Sequence, residues 1–189
     1  MITMRTKMNK PRKMPSVTIA ECDKIPRFSW TSRMLFDYAD ALREIGRLSE
    51  ALLAYDELKS YPIPEEKRWL LPLFRGQTLL EAGQHSLAEQ SFREALILNP
   101  STTVASVFLA STFTVQEKFD SAIETLRHAL YLKGDIDEVL VNLGINLRAK
   151  GKLDDALKYV KEALKISPTY PEALELLEDI QSALSARKT

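Results

Sequence analysis

Residues 137–170 read DEVLVNLGINLRAKGKLDDALKYVKEALKISPTY, and this stretch decides the fold. Its reference point is Ala156, which follows the turn Gly151-Lys152-Leu153. A small residue, Gly144, stands twelve positions before Ala156, and Leu147 stands nine before. Val160 follows four positions after, Ala163 seven after and Pro168 twelve after. Working outward, the same register returns on Ala122, Ala88 and Ala51, at spacings of 34, 34 and 37 residues. The residues equivalent to Gly144 are Ala110, Gly76 and Ala39, and those equivalent to Val160 are Leu126, Phe92 and Tyr55. A fixed period of this length marks stacked supersecondary units, each unable to bury its apolar faces alone.

This register resembles the tetratricopeptide repeat, a 34-residue unit of two antiparallel helices. The units are 32–65, 69–102, 103–136 and 137–170, with a three-residue insert at 66–68. The resemblance implies an all-α, right-handed helical-repeat solenoid of four such helix pairs. Helices are expected near 32–45, 48–60, 70–82, 85–98, 103–116, 119–132, 137–149 and 153–166. A ninth, at 171–186, begins on Pro171 and carries Leu174, Leu177, Ile180 and Leu184 as its stripe, as a C-terminal capping helix would. Gly46, Gly83 and Gly151 fall where first helices end and a left-handed residue is favoured, whereas Glu117 takes that place in the third unit. Pro72 and Arg75 occupy positions where the family has large apolar residues. An interior proline costs roughly 3 kcal/mol, so the second unit's first helix is expected to start late, near Leu70, or to kink.

Composition narrows the function. The chain of 189 residues has 26 basic and 26 acidic side chains, so no global field recruits nucleic acid or an anionic membrane. Seven basic and two acidic residues fall within 1–31, and residues 1–13 are expected to be a flexible basic tail. Residues 14–31, with Val17, Ile19, Phe28 and Trp30, are an N-terminal segment that can pack on the array. The single cysteine, Cys22, excludes an internal disulfide, and no apolar run reaches the length of a membrane span. Together these point to a cytoplasmic protein.

No residue pattern carries catalytic or metal chemistry. His85 and His128 belong to different repeats and read as surface side chains. Around Gly151-Lys152, Asn146 and Leu153 stand where a phosphate loop needs Gly and Ser or Thr. Asp154 and Asp155 open a helix, where capping explains them. The expectation is a non-enzyme with no cofactor and no metal site.

In the family, the first helix of each unit lines a concave groove. Carrying its positions over puts Phe36 and Asp40 from the first unit in that groove, with Leu70, Leu73, Phe74 and Gln77 from the second. The third supplies Val104, Val107, Phe108 and Ser111, and the fourth Glu138, Val141, Asn142, Ile145 and Arg148. Some members grip the acidic tails of heat-shock chaperones with a clamp of Lys and Asn. The equivalents here are Leu73, Gln77, Phe108, Glu138 and Asn142, which include no cation, so that carboxylate clamp is absent. The expected partner is a protein or peptide with an apolar or amphipathic segment, the chain acting as an adaptor or assembly chaperone. The alternative is a self-associating scaffold, a homo-oligomer whose grooves or ends pair between copies.

Overall fold

The computed structural model describes residues 14–187, so the expected tail at 1–13 lies outside the described residues. Ten α-helices form among the described residues, with one isolated parallel bridge, Thr102 to Lys133, and no strand. The chain divides into two compact units, Met1–Pro62 and Ile63–Thr189. The division falls inside the first expected repeat, 32–65, beside the prolines Pro62 and Pro64.

The first unit opens on α1 (Pro15–Cys22), a helix the repeat register does not contain. Pro15 suits the first helical turn, and Ile19 and Cys22 bury against α2 (Ser32–Glu44). Thr31 caps α2, its Oγ1 accepting from the Met34 N–H at 3.3 Å. Trp30 is buried with its ring edge-on to Tyr38 at 5.0 Å, and its indole N–H donates to the Ile25 carbonyl at 3.0 Å. The Arg27 guanidinium lies 3.9 Å over the Trp30 ring and pairs with Glu57 at 2.6 Å. Both members of that ion pair are about two-fifths exposed, so it adds at most ~1 kcal/mol, and burial of Trp30 dominates. Glu57 ends α3 (Leu48–Glu57), whose last turn tightens into a 3-10 turn at Leu58–Ser60.

The second unit is a helical-repeat solenoid of three pairs and a cap. It comprises α4 (Leu70–Glu81), α5 (His85–Leu98), α6 (Thr103–Val115), α7 (Phe119–Ala129), α8 (Ile136–Ala149), α9 (Leu153–Ile166) and α10 (Pro171–Ala186). Helix α4 starts late, after a 3-10 turn at Glu65–Lys67, so Pro72 falls in its first turn and breaks no interior bond. Arg75, in place of an apolar residue, donates to the buried Ser91 Oγ on α5 at 3.2 Å. Small residues set the helix spacing. A Cβ on Gly76 would stand 2.7 Å from the Phe92 ring, and one on Gly144 would stand 2.6 Å from Val160 Cγ2.

All four first helices end on the same double hydrogen bond. Arg47, Gln84, Lys118 and Lys152 donate to carbonyls five residues back, and the residue before each donates three back, at 2.8–3.0 Å. The left-handed residue is glycine in three cases. In the third it is Glu117, held at φ +57.

Helix α10 packs on α9 and α8 through Ala173, Leu176, Leu177 and Ile180. Leu174, expected on this stripe, faces outward at 42% exposure, because Ala173 takes the contact one residue earlier.

Candidate protein-binding groove

Helices α4, α6 and α8 are the first helices of their pairs, and each contacts the next. Their shared face supplies the candidate site. Leu70, Phe74 and Gln77 on α4 are half-buried, as are Val104 and Phe108 on α6 and Ile145 on α8. Leu73, Val107, Ser111, Val141 and Asn142 are buried more deeply, at 1–5% exposure. Gly76 and Gly144 bring their first helices close to α5 and α9 respectively, and the packing around them buries these side chains. Arg148 is exposed and forms a two-pronged ion pair with Asp179 on α10, at 2.5 and 2.8 Å. In the first unit, Phe36 lies edge-on to the buried Tyr55 at 5.8 Å, and Asp40 pairs with Arg43 at 2.8 Å.

Phe108 faces two ways. Part of its surface is available, yet its ring stacks on the buried Phe92 of α5 at 5.4 Å and 8°. It therefore belongs to the inter-helix core as well as to the groove face.

Along α8 a polar ladder crosses this otherwise apolar face. Asn142 donates its amide to the Glu138 carbonyl at 2.9 Å, and Asn146 to the Asn142 carbonyl at 2.8 Å. Thr114 on α6 donates to Asn146 Oδ1 at 2.8 Å, tying the two helices in register. The four-residue spacing of Glu138, Asn142 and Asn146 is the signal that marks this stripe in the sequence. Glu138 is buried, and its carboxyl is pushed up to about 7, first by loss of water and then by the neighbouring charges of Asp135, Asp137 and Glu172. Ser111 Oγ on α6 is buried with no hydrogen-bond partner.

The two histidines line different surface pockets. His128 shares a cavity of about 450 Å³ with Asp120, Arg127, Tyr131 and Lys152, and His85 lies beside Gln84 and Gln116. Among the described residues no group of three His, Cys, Asp or Glu side chains is placed to hold a metal ion. Among them also, no helix is long and apolar enough to cross a membrane.

Two models of the tetratricopeptide repeat match this chain, at residues 75–138 and 137–170. The chain belongs to the tetratricopeptide-repeat family. Its curated relatives include the DnaJ homolog subfamily C member 3 of Homo sapiens and of Mus musculus, each 32% identical over 100 residues. That match takes in 53% of this chain and 20% of theirs, so the chain spans about a fifth of the relatives' length. Among solved structures, MamA is similar with a TM-score of 0.65 and 22% identity, over 79% of this chain and 86% of that one. The first tetratricopeptide domain of Spaghetti (RPAP3), bound to the HSP90 peptide SRMEEVD, is similar with a TM-score of 0.60 and 22% identity. It covers 64% of this chain and 95% of its own. At such identities the likeness establishes the tetratricopeptide-repeat fold.

Proposed function

We propose that this tetratricopeptide-repeat chain is a protein-interaction module without catalytic activity, taking an apolar or amphipathic polypeptide segment on the face shared by α4, α6 and α8. The observation that carries the reading is the row of partly exposed apolar side chains Leu70, Phe74, Val104, Phe108 and Ile145 on successive first helices. Such a row suits either a helix laid in a groove or an extended segment. The structure of an RPAP3 domain with a bound peptide supports the idea that this fold takes a polypeptide. The groove here carries no cation at the clamp positions, so an apolar segment fits it better than an acidic tail. An adaptor or assembly-chaperone role in the cytoplasm is consistent with this reading.

The test is selection from a display library of random dodecapeptides. The wild-type chain is expected to enrich peptides with spaced apolar residues. Leu70→Glu with Phe74→Glu is expected to abolish enrichment while leaving far-ultraviolet circular dichroism unchanged. An intact double variant that selects the same peptides would overturn the groove reading.

Self-association has separate support on the outer face. Ile97 and Tyr131, 34 residues apart, are 79% and 90% exposed, and Ile166 is also exposed. Light scattering across concentrations tests it, with a constant monomer mass counting against a scaffold.

A further inference from the structure

The carboxylate sunk into the inner face of the second unit has no counter-charge. Glu138 is 8% exposed, and among the described residues no hydrogen bond or ion pair reaches its carboxylate. The charged groups acting on it are all acidic: Asp135 and Asp137 beside it in the chain, and Glu172 on α10. The groove face of α6, which packs against α8, carries Val104, Val107, Phe108 and Ser111, none of which titrates. The Thr114–Asn146 bond fixes the register of α6 against α8. One turn back along α6 stands Ser111, level with Asn142, and one further turn along α8 stands Glu138. Ser111 Oγ, also buried and unpartnered, therefore stands about one turn from the Glu138 level.

Glu138 offers a carboxylate that meets no donor, and Ser111 a buried hydroxyl without a partner, and on one face the two call for a ligand that brings several donors and a positive charge. We propose that Glu138 and Ser111 form a receptor for a lysine or arginine side chain of the bound polypeptide, whose apolar residues lie against Phe74 and Val104. This rests on the groove reading above and adds a charge requirement to it. Charge complementarity names the occupant, since Asp135, Asp137 and, from α10, Glu172 add their negative charge at Glu138. Burial makes the pair selective, because an ionised carboxylate largely removed from water is costly unless a cation meets it. A lysine restores that charge balance, and a neutral isostere does not. Binding also draws the carboxyl toward its ionised form, so the complex releases a proton near neutral pH.

The same dodecapeptide library tests this, with the full chain and Glu138→Gln selected in parallel. Glu138→Gln removes a desolvated charge and keeps the shape, so it folds. Wild type is expected to enrich apolar peptides carrying one Lys or Arg at a fixed distance from the apolar residues, and the variant to enrich apolar peptides without it. For a peptide chosen by wild type, replacing that cation by norleucine is expected to weaken binding at least about tenfold. On Glu138→Gln the same replacement is expected to change binding by less than about twofold. Apolar peptides selected equally by both proteins, with no cation preference, would overturn the receptor and leave the groove reading standing. No selection by either protein would overturn both. A wild-type dimer that Glu138→Gln dissolves would put a second copy in the site and overturn the external-polypeptide assignment.

Discussion

Glu117 carries the only left-handed backbone among the described non-glycine residues, and the three equivalent turns show what it replaces. A side chain there is strained by about 1 kcal/mol, partly offset by the greater freedom of glycine in the unfolded chain. Glu117→Gly is expected to raise stability by ~0.5–1 kcal/mol, read as a higher urea midpoint with unchanged slope. Gly76 answers to the opposite constraint. Gly76→Ala drives a methyl into the Phe92 ring, with an expected loss of ~1–3 kcal/mol by the same measurement. Glu138 makes stability depend on pH. Its folded carboxyl titrates at about 7 against 4.5 for the free side chain. The folded state therefore holds its proton longer, and stability is full below about pH 4.5 and falls as pH rises toward 7. Glu138→Gln removes that decline and is expected to gain on the order of 3 kcal/mol at pH 8 over wild type, with little difference at pH 4. Equal urea midpoints at pH 8 would show that the carboxyl is hydrated instead.

Helices were legible wherever the 34-residue register ran. The late start of α4 followed from Pro72, and the shared turn geometry followed from Gly46, Gly83 and Gly151. Helix α1 was not legible, because PSVTIAEC buries only Ile19 and Cys22 and has no counterpart in the repeats. The groove was legible in part. Position within a repeat says which way a side chain leaves its helix, but not how near the neighbouring helices come. That nearness buries Leu73, Val107 and Val141 and couples Phe108 to Phe92. The raised Glu138 carboxyl was hidden for a similar reason, since its main cause is burial in the folded chain, with Glu172 adding to it from another helix. The cap is testable as an element. Ile180, on the inner face of α10, is fully buried, so Ile180→Asp is expected to strip that helix from α9, losing more than ~3 kcal/mol. Hydrogen exchange should then show lost protection across Leu153–Ile166, and retained protection there would refute the capping role.

At the scale of the molecule, the division after Pro62 separates α1 and one helix pair from three pairs and a cap. Three stacked units are about the minimum for a stable array. Residues 63–189 alone are therefore expected to melt cooperatively, whereas residues 1–62 alone are expected to show weak helicity and no sharp transition. A disordered 63–189 fragment would show that the first pair is required for folding. Within that unit the substantial contacts join helices that are adjacent or one helix apart, such as α8 with α9 or α6 with α8. Such locality sets a clock. Each helix meets its partners as soon as one or two further helices have formed, so little loop entropy is lost before contacts are gained. Refolding from urea should finish within milliseconds, and a nascent chain can complete each pair while the next is still being made.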